Sequence, residues 1–238
     1  RHAKPALRQR GLRSCPQSNC LSHQPVGFVR LVGMAAIIPT LTEGRVSIRG
    51  IKPRDAKKLE EELMRNRSWL RQWEATAPQS FVSFDTKAGI KNLLAHARAG
   101  SGLPFAIEYD GELVGQLNVS GIVYGSLSSA QLGYWVAERV AGKGVTPTAV
   151  ALATDYCLQN LGLHRMEICI RPENAASLRI VEKLGFRYEG LRRRYIHING
   201  DWRDHFSYAL TQEEVEQGYV LTCQAHPKSN DILISFDD

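Results

Sequence analysis

Apolar and polar residues alternate in seven short segments of the chain, and this period of two predicts β-strands. The segments are residues 46–51, 105–109, 113–119, 131–136, 166–170 and 195–198, with a last one from Trp202 onward. Two pairs of segments are separated by the tight-turn dipeptides Asp110-Gly111 and Asn199-Gly200, which are typical of two-residue hairpins. The alternation therefore predicts a sheet that contains two hairpins.

Apolar residues spaced three or four apart predict helices before the first hairpin. Three helices are expected there, with starts at residues 53–55, at Ser68 and at Asp85 or Thr86. The predicted order along the whole chain is a strand, helices, three strands, a helix, a strand, a helix and two strands. This order is typical of an α/β domain.

A glycine-containing segment, residues 139–144, lies between the strand at 131–136 and a helix-patterned stretch. Apolar residues recur along that stretch at the spacing of an amphipathic helix: Val145, Ala149, Leu152, Ala153 and Tyr156. Gly142 and Gly144 let the backbone approach an anion closely, and the unpaired N–H groups at the helix start then face that anion. The segment therefore predicts a phosphate-binding loop that suits a pyrophosphate.

Two common phosphate motifs do not fit this loop. A P-loop needs Ser or Thr after Gly-Lys, but Lys143 is followed by Gly144, and the dinucleotide fingerprint needs a glycine where Pro147 stands. What remains is R-x-x-G-x-G, and this pattern resembles the acetyl-CoA loop of the GNAT superfamily of N-acetyltransferases.

A second signature follows downstream, beginning at Asn174-x-x-Ser177 and ending at residues 182–186, Glu-Lys-Leu-Gly-Phe. Asn174 is a natural helix N-cap and Gly185 a natural helix end. This stretch is similar to the ribosomal-protein-alanine N-acetyltransferase subfamily, and the resemblance runs from about Arg45 to about Leu210.

The resemblance implies a GNAT-like α/β fold of three layers, in which helices flank a mixed, mostly antiparallel central sheet. It implies an acetyl-CoA-dependent N-acetyltransferase that transfers the acetyl group directly to an amine in a ternary complex. The expected acceptor is the N-terminal α-amine of a protein, with a ribosomal protein as the family-level candidate. The enzyme is expected to be a cytoplasmic monomer or homodimer that uses no metal.

The resemblance also assigns residues to the site. Backbone N–H groups of Tyr134, Trp135 and Val136 would bind pantetheine and polarise the thioester carbonyl. The loop backbone would hold the pyrophosphate, through Arg139, Val140, Ala141, Gly142, Lys143, Gly144 and Val145. Ser177 is predicted to hydrogen-bond the departing sulfur, and Asn174 to contact the cofactor or the acceptor, while purely structural roles at the helix start are the alternative for both.

The general base is not identified by the sequence. Gln131 occupies a strand position where many relatives carry a carboxylate, and Ile196 stands where some subfamily members carry glutamate. Making an amine neutral at pH 7 costs about 1 kcal/mol for an α-amine and about 4.6 kcal/mol for a lysine, so a weak base suffices for the α-amine. Gln131 is retained as a catalytic position, and other candidates for the base remain open: Glu189, His197, Asp204 and His205.

Two surface features remain open to interpretation. Trp69 and Trp73 are interpreted as core residues, with a role in covering the acceptor groove as the alternative. Arg192, Arg193 and Arg194 are interpreted as a solvated face, with attraction of an acidic acceptor or of the cofactor's 3′-phosphate as the alternative.

Composition limits the partners and the number of domains. The chain has 238 residues and 43% hydrophobic residues, which suits one globular domain. Residues 1–33 hold six basic residues and no acidic one, which leaves 24 basic against 24 acidic residues elsewhere, so direct nucleic-acid binding is not expected. We expect a disordered leader or an over-long start at 1–33, the acetyltransferase domain at 34–211 and a tail at 212–238, with a transit peptide as the alternative for the leader.

The five cysteines indicate neither a disulfide framework nor a metal centre. Cys15, Cys20 and His23 supply at most three zinc ligands. No apolar run approaches the ~20 residues of a membrane helix. Two further functions stay open: acetylation of a small amine such as an antibiotic, polyamine or amino acid, and non-catalytic binding of acyl-CoA by a regulator.

Overall fold

A single eight-stranded sheet forms the centre of the protein, which a computed structural model describes over residues 38–78 and 85–217. The strands in chain order are β1 (Leu41–Glu43), β2 (Val46–Gly50), β3 (Gly102–Tyr109), β4 (Glu112–Val123), β5 (Ser129–Val136), β6 (Arg165–Ile170), β7 (Arg187–Ile198) and β8 (Asp201–Thr211). Their order across the sheet is β1-β2-β3-β4-β5-β6-β8-β7. Neighbouring strands are antiparallel except for β5 and β6, which run parallel, so the predicted mixed, mostly antiparallel sheet is confirmed.

Helices cover both faces of this sheet. They are α1 (Ala56–Arg65), α2 (Arg67–Leu70), α3 (Thr86–Arg98), α4 (Val145–Asp155), α5 (Ala175–Lys183) and α6 (Gln212–Glu216). Leu59 of α1 and Ile90 of α3 pack with Ala106 and Leu113 on one face, whereas α4 and α5 contribute to the larger core on the other face. The arrangement is the predicted three-layer α/β fold.

Both predicted hairpins form at the turn dipeptides. Asp110 and Gly111 have φ of 52° and 77°, and Asn199 and Gly200 have φ of 49° and 90°, so all four residues occupy the left-handed region that such turns require. The side chain of Asp85 caps α3 by accepting a hydrogen bond from the backbone N–H of Ala88, at 2.9 Å. The local turn and cap signals therefore locate these boundaries correctly.

The second predicted helix is much shorter than the sequence suggests. Helix α2 ends at Leu70, so Trp69 lies within it and Trp73 lies beyond it. Both tryptophans are partly exposed, and their interpretation as core residues is wrong. The helix ends at Leu70 because the chain then leaves the layer of α1 and α3 and runs towards β7.

Three other features differ from the sequence expectation. Strand β1 adds a hairpin in front of β2, and α6 occupies the start of the expected tail through a capping box between Thr211 and Glu214. Helix α4 is buried on nearly all sides rather than amphipathic, and one π-helical turn, Tyr156–Asn160, follows it. The helix that follows the predicted phosphate loop is therefore fixed within the core.

Burial of α4 explains why its amino end has a defined position. Ala149, Val150, Ala151 and Ala153 are fully buried, and fully burying one valine side chain stabilises a fold by about 1.5–3 kcal/mol. The small alanines let the sheet approach the helix backbone closely. The loop in front of α4 is thereby attached to a rigid element.

Within residues 38–78 and 85–217, no helix is long and apolar enough to cross a membrane. The predicted leader at 1–33, with Cys15, Cys20 and His23, lies outside the described residues, as does most of the predicted tail.

Candidate active site

Strands β5 and β6 separate in the middle of the sheet. They pair in parallel from Ser129 with Arg165 to Leu132 with Ile168, and no further pair joins them. Beyond Leu132, β5 keeps only its antiparallel neighbour β4, as in the pair of Tyr134 with Leu117. The β6-facing edge of residues 133–136 is therefore left without a strand partner in the described chain, and the residues predicted to bind pantetheine lie on it.

The loop after β5 is built as an anion cradle. Gly142 and Gly144 have φ of 76° and 77°, and a Cβ added at either glycine would meet no other atom within 4 Å. Helix α4 begins directly afterwards at Val145, and no side chain caps it. Among the described residues, no acceptor is present for the N–H groups of Gly142, Gly144, Val145 and Thr146. An anion placed over this turn would meet four backbone donors and the positive end of the helix dipole.

The side chain of Arg139 turns away from the loop opening. Its guanidinium pairs with the carboxylate of Glu62 on α1, whose side chain is buried and also accepts from Arg65 at 2.7 Å. The neighbouring Asn66 accepts from the backbone N–H of Glu138 through its Oδ1 atom, at 2.9 Å. Two polar contacts therefore attach the loop to the layer of α1 and α3, a connection that the local sequence pattern does not reveal.

Ser177 and Tyr134 meet across the separated strands. The Oγ atom of Ser177 lies 3.0 Å from the phenolic oxygen of Tyr134, and Asn174 caps α5 by accepting from the backbone N–H of Ser177 at 3.1 Å. Burial raises the pKa of Tyr134 to about 12, partly opposed by the bond to Ser177, so its hydroxyl stays protonated at neutral pH. Sequence reasoning assigned only the backbone of Tyr134, although the alternation along β5 already places its side chain on the same face as Leu132, towards α5.

Gln131 does not join this pair. Odd-numbered residues of β5 point to the face opposite α4 and α5, the face on which Trp135 packs beside α1 and α3. Gln131 is exposed on that face, opposite Glu167 of β6 in the strand register. Ser177 and Asn174 therefore lie on one side of the sheet and Gln131 on the other.

We call this second side, where it covers β6 and β8, the groove face, because no described helix packs on it there. Its carboxylate, Glu167, is neutralised by two guanidinium groups, Arg165 and Arg192, each at 2.8 Å. Arg192 also donates to the phenolic oxygen of Tyr195, at 3.0 Å. The arginine run is thus tied into the groove face at Arg192 and is not uniformly solvated.

Two of the candidate bases are held by strong donors. Arg165 and Arg187 both bind the carboxylate of Glu189 and lower its pKa to about 2, with Arg165 as the larger cause. Asp204 accepts from the backbone N–H of Arg194 at 2.7 Å. The carboxylate of Glu189 is therefore a weak proton acceptor at neutral pH.

The two histidines differ in burial and in what they contact. His197 is partly exposed and its Nδ1 atom lies 2.8 Å from the hydroxyl and 3.0 Å from the carbonyl oxygen of Thr76. His205 is only 3% exposed, and its Nδ1 atom lies 3.0 Å from the carbonyl oxygen of Arg203. Burial lowers the pKa of His205, so its imidazole is neutral at pH 7.

A segment that we call the strap, residues 71–76, crosses from α2 to the far end of the β7–β8 hairpin. It is bound there by a bridge between Ala75 and Ile198 and by the N–H of Thr76, which donates to the carbonyl of His197 at 2.8 Å. At its start, Arg171 donates to the carbonyl of Gln72 at 2.8 Å and stacks over Trp73, with 5.4 Å between guanidinium carbon and ring centroid. The strap therefore passes over the groove face at the end where β5 and β6 separate.

A cavity of about 340 Å³ lies on the other flank of the loop, against the β3–β4 hairpin. It is lined by Tyr109, Asp110, Glu112, Val114, Arg139, Val140 and Lys143. None of these residues belongs to β5 or β6, so the cavity is separate from the gap between those two strands.

Comparison with known proteins agrees with this geometry. Residues 45–187 match the family described as the acetyltransferase (GNAT) domain. A [Ribosomal protein uS5]-alanine N-acetyltransferase from Escherichia coli (strain K12) is 31% identical over 183 residues, 75% of this chain and 93% of that protein. A probable N-acetyltransferase, YjcK, from Bacillus subtilis (strain 168) is 39% identical over 108 residues, 45% of this chain but only 60% of that protein.

A solved structure is also similar. The RimJ protein of Mycobacterium smegmatis, in complex with CoA-disulfide, superimposes with a TM-score of 0.70 and 35% sequence identity. The match covers 78% of this chain and 92% of that one.

Proposed function

The chain belongs to the acetyltransferase (GNAT) domain family and is an acetyl-CoA-dependent N-acetyltransferase, and from this premise we propose that it acetylates the N-terminal α-amine of a protein. A ribosomal protein is the first acceptor to test, because a relative that matches three quarters of the chain acetylates an alanine of ribosomal protein uS5. The observation that carries the proposal is the opening between β5 and β6, with an anion cradle at its outer end and hydroxyl groups at its centre.

The residues present suit CoA. The four free N–H donors of the loop and the start of α4 would hold the pyrophosphate, and the unpaired edge of residues 133–136 would hold the amide-rich pantetheine arm. The loop residues assigned from the sequence, Arg139 to Val145, keep this role through their backbone, while the Arg139 side chain fixes the loop to α1. When bound, acetyl-CoA supplies the acetyl group as a thioester.

Tyr134 and Ser177 would protonate the departing sulfur of CoA. The phenol stays protonated because burial raises its pKa to about 12, and the adjacent Ser177 hydroxyl can pass a proton along the 3.0 Å contact. Asn174 holds the first turn of α5 in place and thereby positions Ser177, so we assign it a positioning role. Gln131 remains a proposed polar contact on the groove face.

The acceptor would approach from the groove face, opposite the side on which Ser177 lies. The strap, which is bound to the β7–β8 hairpin, would restrict access to this face, and such a restriction favours a protein terminus over a lysine within a folded surface. The ionised carboxylate Glu167 is already neutralised by two arginines, so strong attraction of a polycationic acceptor is not expected from it.

The experiment is a competition between acceptor classes. The purified chain is incubated with acetyl-CoA and, separately, with an alanine-ended peptide of a ribosomal protein, the same peptide with a blocked α-amine and one internal lysine, and a polyamine. We expect turnover with the free α-amine only. Turnover of the polyamine with an inert peptide would contradict the proposed acceptor and favour the small-amine alternative, whereas CoA binding without turnover of any amine would favour the regulator.

A further inference from the structure

His205 combines a free proton acceptor with a buried ring of fixed orientation, whereas His197 is partly exposed beside the turn of the β7–β8 hairpin. A carbonyl oxygen can only accept, so the 3.0 Å contact to Arg203 requires the hydrogen on Nδ1. A neutral imidazole then carries its lone pair on Nε2, and in the described chain no donor binds that atom. The ring is 3% exposed and its orientation is fixed by the bond on the opposite nitrogen.

The strand register places His205 beside the gap between β5 and β6. Leu132 pairs with Ile168, Ile168 with Tyr208, and Ile170 with Phe206, so His205 is level with Trp135 across the gap. Phe206 packs into the core with α4 and α5, and alternation turns His205 to the groove face, where Trp135 also points. Strand β6 ends at Ile170, so β6 does not continue between Trp135 on β5 and His205 on β8.

In a fully paired sheet, two strand spacings of about 4.8 Å would separate β5 from β8, and because β5 and β6 are unpaired at this level, about 10 Å or more lies between them. The residue after β6, Arg171, turns its guanidinium to the strap. An imidazole and a reacting amine can span such a distance directly or through one water. We propose that Nε2 of His205 is the general base that accepts the proton of the acceptor amine. This assignment rests on the proposed acetyl transfer and adds the residue that the sequence lacks at Gln131 and Ile196.

One proton is transferred on each face of the sheet, so the number of protons is conserved. The amine nitrogen forms its bond to the acetyl carbon and gives one proton to Nε2 of His205. The bond between that carbon and sulfur breaks, and the sulfur receives one proton from the hydroxyl pair of Tyr134 and Ser177. Solvent then takes the proton from His205 and returns one to the hydroxyl pair.

The groups that face His205 keep its imidazole neutral, so that Nε2 can accept a proton. Burial is the main cause of its lowered pKa, and Arg171, at the end of β6, lowers it further. Glu173 and Asp204 act in the opposite direction, and the ring of Tyr195 packs edge-on at 5.9 Å between centroids. On the neighbouring strand, burial raises the pKa of Cys169, so its thiol carries no charge at neutral pH.

The test replaces His205 by asparagine, whose amide can still donate to the Arg203 carbonyl but offers no basic nitrogen. We expect kcat/KM with the α-amine peptide to fall about 10²–10⁴-fold at pH 7, the usual contribution of a general base, with CoA affinity within about threefold of the parent. The parent profile should show an ionisation below the ordinary histidine value of about 6.5, and His205→Asn should lose it and retain only that of the acceptor amine. His164→Asn, an exposed histidine paired with Glu213, is the matched control and should behave as the parent.

A second measurement does not depend on the variant's folding or on the acceptor. The ¹⁵N-labelled imidazoles of the intact protein are titrated by NMR with CoA bound, and His205 should appear as the Nδ1–H tautomer with a pKa below the ordinary histidine value of about 6.5. An Nε2–H tautomer, or an unchanged pH profile in His205→Asn, would overturn the assignment. If the parent acetylates only a small amine, the proposed acceptor fails, and the same variant measured with that amine still tests His205.

Discussion

The phosphate loop and the groove face, which we assign to one reaction, are built from different parts of the chain. The loop consists of consecutive residues, it has no side chain at Gly142 and Gly144, and four backbone N–H groups there and at the start of α4 have no acceptor among the described residues. The groove face takes its side chains from β5, β6, β7 and β8 and from the strap, and most of its charged groups are paired with each other. Backbone recognition suits a cofactor shared by a whole family, whereas side-chain recognition suits an acceptor that differs between members.

The comparison predicts that the loop is most sensitive to backbone shape. Gly144→Val places a branched side chain at φ of 77° and in the space over the cradle. Loss of two charge-assisted hydrogen bonds at about 1.5 kcal/mol each should weaken CoA binding about 100-fold or more, measured by calorimetry. Gly125→Val, at φ of 80° in an exposed turn and equally free of neighbours, should lose similar stability yet bind CoA normally. Equal affinities in the two variants would remove the loop from cofactor binding.

The centre of the opening should respond in rate rather than in affinity. Ser177→Ala and Tyr134→Phe each remove one hydroxyl of the 3.0 Å pair, and we expect kcat to fall about 10–100-fold with the CoA dissociation constant within about threefold. Stopped-flow single turnovers separate the chemical step from product release. The variant with the larger decrease identifies the hydroxyl next to sulfur, and parent rates in both would show that neither donates a proton.

The ion pair between Glu62 of α1 and Arg139 of the loop should affect stability more than the rate of reaction. Glu62→Gln removes the buried charge that pairs with Arg139, and we expect a loss of about 1–3 kcal/mol in the free energy of unfolding, reduced because Arg139 is partly exposed. CoA affinity should decrease only a few fold. Urea unfolding measures the first effect, and Glu61→Gln, exposed on the same helix, should leave both quantities unchanged.

The smallest effect concerns the ion pairs behind the groove face. The pKa of Glu189 is lowered to about 2 by Arg165 and Arg187, so its stabilising contribution is present above pH 4.5 and is lost as the pH falls towards 2. Glu189→Gln should cost at most about 1 kcal/mol at pH 7 and reduce the loss of stability between pH 4.5 and 2. Glu60→Gln, an exposed residue of α1, should retain the parent slope in the same denaturation series; a parent slope in Glu189→Gln would contradict the ion-pair assignment.

Sequence reasoning succeeds where the signal is local. The strand at 131–136, the left-handed glycines, the Asn174 cap and both hairpin turns are each specified by residues within one or two turns of chain. The parallel pairing of β5 with β6 and its end at Leu132 and Ile168 are not specified by any local pattern.

Contacts between distant segments explain what the sequence did not specify. The Ser177 hydroxyl meets Tyr134 across 43 residues, Glu62 meets Arg139 across 77, and Thr76 meets His197 across 121. No periodicity predicts such pairs, since each depends on how whole elements pack. The same reason accounts for Trp73, whose spacing from Trp69 suggested one helix although the chain leaves that helix to reach β7.

The strap has a consequence for when the acceptor can be modified. The strap is hydrogen-bonded to the β7–β8 hairpin, so an acceptor that reached the groove face past it would enter end-first and in extended form, because a folded domain is wider than one strand. An acceptor whose first residues are already docked in an assembled particle offers no such free end. If the acceptor is the proposed protein N-terminus, we expect acetylation in the interval between synthesis of the acceptor chain and its incorporation into a larger complex.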